Sequence, residues 1–412
     1  MQKVAEKHHL KAIFHEKPFD GVNGSGKHCN WSIMTDTGVN LLSPGSTPTK
    51  NLRFLSFYAS VVRAVHRHHF LLMASVASLN NSYRLGGGEA PPAVMSIFSG
   101  STLYGVFQSI LNMDNLKETE ANSLESIKIV ESLPEIFPDN TDRNRTSPFA
   151  FTGNRFEFRA VGSSQNVASA VFVLNSIVAE SLNEFHEAVS ELEAAGESRS
   201  SAVMAVVRRF FAEAKDIMFE GNGYSREWEK EAEKRGLRAI RNVPEAYEVY
   251  HEEATVKLFG NIGVLAKNEL DARFEILNET YVKKLQIEAR VIGDMCLNHV
   301  IPAAVKYQNI LIENVKGMKD IFGEESVELC ASEMATLKSI SMYINKLSAD
   351  VESLVNARKK ANVIEDVAER AKMYSHEVKD MMEEVRKSAD NLEMLIDDEM
   401  WPLPKYRELL FF

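Results

Sequence analysis

Residues 21–32 read GVNGSGKHCNWS, and this stretch decides how the first half of the chain is expected to fold. It fits the phosphate-loop pattern G-x-x-x-x-G-K-[ST] except at the last position, where His28 replaces the hydroxyl that such a loop uses for Mg²⁺. A phosphate loop must also open a helix, whereas residues 29–35 are β-branched, aromatic and alternating, as in a strand. We therefore predict a glycine-rich turn that feeds a strand carrying a histidine metal ligand, with Asn23 lining a polar site. A turn beside a buried histidine is the alternative.

The composition is that of a globular protein. With 412 residues, 45% of them hydrophobic and 25% charged, the chain is long enough for about two or three cores. Its net charge of −11 argues against a nucleic-acid partner, because phosphate backbones require a clustered basic face. Three cysteines without CxxC spacing favour a reducing compartment, so we predict a cytoplasmic protein. No apolar run reaches the roughly 18 residues of a spanning helix, and no membrane partner is expected.

The two halves of the chain differ in pattern. Strand-like and helix-like segments alternate in the first half, whereas prolines become rare and helical periodicity prevails beyond about residue 170. A long helical run is predicted over residues 244–319, with an interruption at Pro302. The apolar tail, residues 401–412, is expected to dock on its own subunit or on a neighbour.

Two late stretches have the heptad spacing of packed helices. The first contains Leu337, Ile340, Ile344, Leu347, Val351 and Leu354, and the second contains Ile364, Val367, Ala371, Tyr374, Val378, Met381 and Val385. Leu392 and Leu395 continue the second stretch after a polar break at Ser388. With a linker at residues 356–362, the pair is interpreted as an antiparallel hairpin with a structural or assembly role.

Charged segments in the first half indicate a binding site for an anionic ligand. Residues 81–92 read NSYRLGGGEAPP. Their three consecutive glycines suit a flap that closes on substrate and carries Glu89. Residues 141–148, TDRNRTSP, add two arginines. In residues 155–159, RFEFR, strand alternation places Arg155, Glu157 and Arg159 on one face and the two phenylalanines on the other. The guanidinium group of arginine can donate two parallel hydrogen bonds to carboxylate or phosphate oxygens. Taken singly, each segment would also be explained by a surface salt-bridge cluster.

Taken together, these segments resemble glutamine synthetase. KPFDGVNGSGKHCNWS, RLGGGEAPP, DRNRTSP and NRFEFRAVGSSQN are similar to its substrate, flap, ATP and second-metal motifs, and the helical C-terminal half is most similar to the type III branch. The resemblance covers essentially the whole chain. It implies an α+β fold in which an incomplete antiparallel sheet, part of a catalytic domain at residues 1–245, is followed by a long-helix bundle at residues 246–412. It also implies a glutamate–ammonia ligase that uses ATP, glutamate, ammonium and Mg²⁺ or Mn²⁺, and whose intact form is a dodecamer.

The resemblance also implies roles for individual residues. His28 and Glu157 are the expected ligands of the second, nucleotide-side metal ion. The remaining roles are substrate binding by Asn23, Gly24, His28, Arg84 and Arg159, ATP binding by Asn30, Ser32, Arg145 and Arg155, and catalysis by Glu89, Arg145 and Arg159. These roles require that His28 and Glu157 face each other across one sheet.

The chain departs from the family in what precedes Lys17. Family members supply most of their metal-binding glutamates from strands upstream of this point, and a neighbouring subunit's small β domain contributes an aspartate. We therefore expect the chain to be the C-terminal portion of a longer enzyme, with little activity alone and an unpaired sheet edge. Two alternatives are a γ-glutamyl ligase for another amine and a non-catalytic assembly or regulatory module.

Overall fold

The computed structural model describes residues 1–12, 16–17, 23–45, 47–86, 93–112, 147–223, 225–405 and 408. The chain divides into two compact units, one of residues 14–274 and one of residues 1–13 with 275–412. Among the described residues, no helix combines the length and the apolar character that crossing a membrane requires.

The first unit contains a mixed sheet of four strands. They are β1 (Gly26–Trp31), β2 (Ile97–Phe98), β3 (Phe149–Phe151) and β4 (Phe156–Gly162), in the order β1-β4-β3-β2. β4 pairs antiparallel with β1 and β3, whereas β2 and β3 are parallel. This parallel pair departs from the expected antiparallel sheet, because the long connection between β2 and β3 allows a crossover. Within the described residues β1 is an edge strand.

Helices make up most of the remaining described structure, so the α+β prediction is confirmed. In chain order they are α1 (Gln2–Lys7), α2 (Pro48–Arg67), α3 (His69–Ala74), α4 (Leu79–Arg84), α5 (Ser101–Leu111), α6 (Ala168–Ala194), α7 (Arg199–Ala214), α8 (Arg226–Lys234), α9 (Val243–Tyr247), α10 (Glu253–Asn261), α11 (Lys267–Met295), α12 (Ile301–Phe322), α13 (Ser326–Leu329), α14 (Ala331–Asn362), α15 (Val367–Met373) and α16 (Lys379–Glu393).

An aromatic core fixes β4 on the helices of the first unit. Phe156 is fully buried, and its ring stacks on Tyr58 of α2 at a centroid distance of 5.6 Å and on Phe149 at 4.7 Å. Tyr58 also meets Phe211 of α7 edge-on at 6.2 Å. Phenylalanines alternate along β4 with polar residues, so packing of one face of the strand turns the other face towards the polar site.

The second unit contains the predicted helical hairpin, formed by α14 with α15 and α16. Its two arms run antiparallel, because later residues of the second arm contact earlier residues of α14. Tyr374 Oη donates to Asn362 Oδ1 at 2.8 Å, and Ser388 Oγ donates to Asp350 Oδ2 at 2.6 Å. The predicted linker at residues 356–362 is wrong, since α14 continues to Asn362 and the turn follows it. Alanines at this end of the helix pack closely and retain helical propensity.

The run over residues 244–319 is also interrupted elsewhere than predicted. Pro302 does not end a helix, because it occupies the first turn of α12, where its missing N–H is not needed. A π-helical segment, Cys296–Val300, joins α11 to α12 and makes this possible. Breaks lie instead at Glu252, which has an extended backbone before α10, and between α10 and α11. As predicted, α12 packs with the hairpin, and Gln308 Nε2 donates to Ser341 Oγ of α14 at 2.7 Å.

Candidate functional site

The candidate site lies where β1 and β4 pair. Asn30 is the register partner of Glu157, but the pairing shifts between Lys27 and Cys29. Two β4 residues, Arg159 and Ala160, therefore oppose the single residue His28. Such a bulge re-aims the side chains beside it and occurs often next to active sites.

His28 and Glu157 face each other as expected. His28 Nδ1 lies 3.0 Å from Glu157 Oε1, although the two residues are 129 positions apart in sequence. On the other side of the carboxylate, Arg159 Nε and Nη2 both donate to Glu157 Oε2 at 2.8 Å. The guanidinium of Arg159 is almost fully buried, whereas the side chains of His28 and Glu157 are 28% and 18% exposed. The carboxylate thus has one shielded and one accessible side.

The electrostatics of this group favour an ionised carboxylate. Partial burial alone would raise the pKa of Glu157, but the hydrogen bond and charge of Arg159, together with those of His28, outweigh it and hold the pKa below its ordinary value. Glu157 therefore stays ionised at neutral pH. An ionised carboxylate beside an imidazole can bind a cation, whereas the buried guanidinium balances its charge.

Three further predicted residues lie beside this group. Arg155 Nε donates to Asn30 Oδ1 at 3.0 Å, and Arg155 Nη1 donates to Asn154 Oδ1 at 3.2 Å. Ser32 Oγ lies 3.1 Å from the carbonyl oxygen of Asn154 and 2.9 Å from Asn40 Oδ1, so its single proton can be donated to either acceptor. Ser32, Asn30 and Arg155 are thereby linked through Asn154, which lies two residues before β4. Asn40 and Asn154 were missed in the sequence, where a lone asparagine in a turn carries no distinctive signal.

The glycine turn before β1 is held by a buried acid that the sequence reasoning also missed. The N–H of Ser25 donates to the carbonyl of Glu16 at 2.7 Å. The Glu16 side chain is buried, and its Oε1 accepts from the N–H and the hydroxyl of Ser164 at 3.0 and 2.6 Å. Asn23 and Gly24 lie just before Ser25, in the segment that these contacts anchor.

Arg84 is the last residue of α4, and its predicted substrate contact stays a prediction. It is only 2% exposed, and its guanidinium donates to carbonyl oxygens of β4. Glu89 and Arg145 lie outside the described residues, as do the rest of the triple-glycine loop from residue 87 and the arginine segment up to residue 146. Their predicted roles stay predictions.

The donor chemistry of His28 and Glu157 suits a hard divalent ion, because such ions take carboxylate oxygens and accept an imidazole. The number of donors is low, however. In the part of the chain that the structure describes, no group of three or more His, Cys, Asp or Glu side chains is arranged to hold a metal ion. Within the described residues, the pair therefore offers two such donors.

The chain is similar to members of a known protein family. Residues 1–98 match the family described as glutamine synthetase, catalytic domain, and residues 202–319 match the glutamine synthetase C-terminal domain. The whole chain is 46% identical to a glutamine synthetase of Bacteroides fragilis and 40% identical to a type-3 glutamine synthetase of Dictyostelium discoideum. A glutamine synthetase of Butyrivibrio fibrisolvens is 37% identical, again over the whole chain. The chain spans 57%, 56% and 57% of the lengths of these relatives, respectively.

Proposed function

The chain belongs to the glutamine synthetase family, and we propose that it carries the nucleotide-side part of the active site of a glutamate–ammonia ligase. The single observation that carries this proposal is the group formed by His28, Glu157 and Arg159 on one face of the β1–β4 pair. It combines a two-ligand cation site with a guanidinium, which is the charge arrangement that phosphoryl transfer requires.

The reaction explains why this chemistry is needed. The side-chain carboxylate of glutamate is a poor electrophile, so the terminal phosphoryl group of ATP is first transferred to it, giving γ-glutamyl phosphate and ADP. Ammonia then attacks the activated carbonyl carbon, and phosphate leaves. A divalent ion, Mg²⁺ or Mn²⁺, neutralises the charge of the phosphate oxygens when it is bound.

In this proposal each described residue has a definite part. His28 and Glu157 hold the ion, with Arg159 keeping the carboxylate ionised and oriented. Ser32, Asn30 and Arg155 contact the nucleotide, because they lie together beside the ion pair. Asn23 and Gly24 take the amino end of glutamate, at the turn that precedes β1.

Two further roles rest on the family resemblance alone. Glu89 shields the acyl phosphate from water and accepts a proton from ammonium, and Arg145 binds the transferred phosphate. The predicted substrate contact of Arg84 also stays a proposal, while its guanidinium donates to carbonyls of β4. The intact enzyme is proposed to be a cytoplasmic dodecamer with sites shared between subunits, which native mass spectrometry of the intact enzyme would check.

The experiment combines the chain with the part of the Bacteroides fragilis relative that the match leaves uncovered. The two pieces are coexpressed, and glutamine formation from ATP, glutamate and ammonium is followed with Mg²⁺ or Mn²⁺. The combined pieces are expected to form glutamine, the 412-residue chain alone to show negligible turnover, and Glu157→Gln to lower turnover by about a hundredfold or more. Arg241→Met, which alters a surface salt bridge, serves as the matched control.

Three outcomes would contradict the proposal. One is a soluble, copurifying pair without glutamine formation, and another is full activity of the Glu157→Gln pair. Faster turnover with alkylamines than with ammonium would indicate a ligase for another amine. Robust turnover by the chain alone would contradict the inference that two described donors are too few.

A further inference from the structure

Arg84 makes contacts within the fold in addition to its predicted substrate contact. It is the last residue of α4, a helix capped by Ser78, whose side chain accepts from the N–H of Asn81. Its guanidinium is buried rather than directed to solvent. Taking a guanidinium out of water is costly unless acceptors surround it, so its partners indicate what the side chain does.

Those partners are consecutive carbonyls of β4. Arg84 Nη2 donates to the carbonyl of Arg159 at 2.7 Å, and Nη1 lies 3.2 Å from the carbonyl of Ala160 and 3.4 Å from that of Val161. Asn81 reinforces the contact, since its Nδ2 donates to the Ala160 carbonyl at 3.0 Å. One short helix thus binds three successive residues of the strand.

Two of these carbonyls, those of Arg159 and Ala160, lie where the regular ladder is disturbed, whereas Val161 is the register partner of Lys27. The bulge places Arg159 and Ala160 opposite the single residue His28, and the pairing of β4 with β3 ends at Phe158. Backbone acceptors at such a point need other donors. The planar guanidinium, with five N–H donors, supplies them in a geometry that one ammonium group cannot match.

The glycine of β1 leaves the space for this contact. A Cβ on Gly26 would lie 2.2 Å from Nη2 and 2.3 Å from Cζ of Arg84. Gly162, the register partner of Gly26, is similarly enclosed, because its Cβ would lie 2.6 Å from Glu16 Oε1 and 3.1 Å from Cγ of Asn81. The two glycines therefore accommodate charged and polar side chains at the bulge.

The contact reaches the candidate site through Arg159. Arg84 binds the main chain of this residue, and the side chain of the same residue holds Glu157 Oε2 through two hydrogen bonds of 2.8 Å. A shift of the β4 backbone at residue 159 would tilt that guanidinium and release the carboxylate. The distance from Glu157 Oε1 to His28 would then no longer be fixed at 3.0 Å.

We propose that Arg84 is a positioning residue, whose guanidinium fixes the bulge of β4 and thereby orients Arg159 and Glu157, while Gly26 provides its space. The functional consequence rests on the proposed ligase activity, but the positioning does not. In the sequence, only Leu85 separates Arg84 from the first glycine of the triple-glycine segment.

The test measures local structure in the unliganded chain. Arg84→Met, Arg84→Lys and Gly26→Ala are compared with Arg241→Met by hydrogen exchange of residues 156–162 and by the Nε–H resonance of Arg159 in an arginine-labelled sample. Each of the first three variants is expected to speed exchange in this segment by about tenfold and to shift or lose the resonance. Exchange in α6 and the Arg241→Met spectrum are expected to stay unchanged.

A double-mutant cycle identifies the guanidinium as the cause. Gly26→Ala in the Arg84→Met background should add little, because the atoms that its methyl group would meet are gone. If Arg84→Met does not fold, Gly26→Ala and Arg84→Lys carry the test.

The proposal is overturned if these variants fold with unchanged exchange and an unchanged Arg159 resonance, or if the effects of Gly26→Ala and Arg84→Met are additive. Uniformly faster exchange throughout the unit would indicate general destabilisation and would also overturn it. A weaker affinity for glutamate as the sole effect of the Arg84 variants would also overturn the positioning role. Since none of these measurements involves turnover, absence of ligase activity would contradict the proposed function and leave this test intact.

Discussion

Arg159 and Glu157, two residues apart on β4, are joined through a single carboxylate oxygen. Both Nε and Nη2 of the arginine lie 2.8 Å from Oε2, so Oε1 is left to face His28. Two donors on one oxygen hold that oxygen in place more firmly than one hydrogen bond would. The cation-binding side of Glu157 is therefore set by a buried neighbour rather than by solvent.

The depressed pKa of Glu157 makes its stabilising effect dependent on pH. Because the folded pKa lies below the ordinary value of 4.5, the contribution is complete above 4.5 and is lost as the pH falls through the folded pKa. Glu157→Gln is expected to lower the free energy of unfolding by about 1.5 kcal/mol at pH 7. The difference from wild type should shrink as the pH falls below 4.5. Thermal unfolding of both proteins between pH 7 and pH 3 measures it, and a difference independent of pH would contradict the ion pair.

His69 should destabilise the fold in mild acid. Its Nδ1 donates to the carbonyl of His66 at 2.8 Å, and its Nε2 accepts from the N–H of Arg238 at 3.0 Å. Burial, the largest cause, lowers the pKa of His69 from 6.5 to about 4. The unfolded chain therefore binds a proton that the folded chain excludes, and stability falls as the pH drops from 6.5 towards 4.

The expected loss from His69 over this pH range is on the order of 2 kcal/mol. His69→Gln should remove that part of the pH dependence, whereas His186→Gln, at an exposed position, should leave it in place. Urea unfolding at a series of pH values provides the comparison. Retention of the full pH dependence in His69→Gln would show that another group is responsible.

Ser388 fixes the register of the helical hairpin. Its side chain is buried in the seam, where it donates to Asp350 Oδ2 at 2.6 Å and accepts from Lys346 Nζ at 3.1 Å. Ser388→Ala leaves the aspartate with one donor fewer, and we expect unfolding to become about 1–2 kcal/mol easier. Ser348→Ala, on the exposed face of α14, is the control. Equal stability of the two variants in chemical denaturation would contradict the role of Ser388.

Phe156 connects the stability of the aromatic core to the geometry of the site. Its ring is fully buried against Tyr58 and Phe149, and its neighbours on β4 are Arg155 and Glu157. Phe156→Ala should cost about 3–5 kcal/mol. Ile287→Ala, at a position 61% exposed, should cost less than about 0.5 kcal/mol. Calorimetry measures both, and similar melting temperatures would show that this strand is not anchored by its aromatic face.

Much of the candidate site could be predicted from the sequence, because the patterns that indicate it involve neighbouring residues. The alternation in RFEFR indicates which side chains share a face, since side chains of a strand point to opposite faces at each step. The heptads likewise predict the hairpin of α14 with α15 and α16. Its turn was misplaced, because an alanine- and lysine-rich end of a helix resembles a polar linker.

The sequence by itself determined the family, the strand that carries Glu157 and the helical character of the second half, because each depends on neighbouring residues. The meeting of His28 and Glu157 across 129 positions was expected from the family resemblance, but only the tertiary structure decided that a bulge lies between them and that Arg84 is buried against β4. These features depend on strand register and on backbone acceptors that residue types do not encode. A guanidinium looks the same in sequence whether it binds a substrate carboxylate or three carbonyls of its own fold.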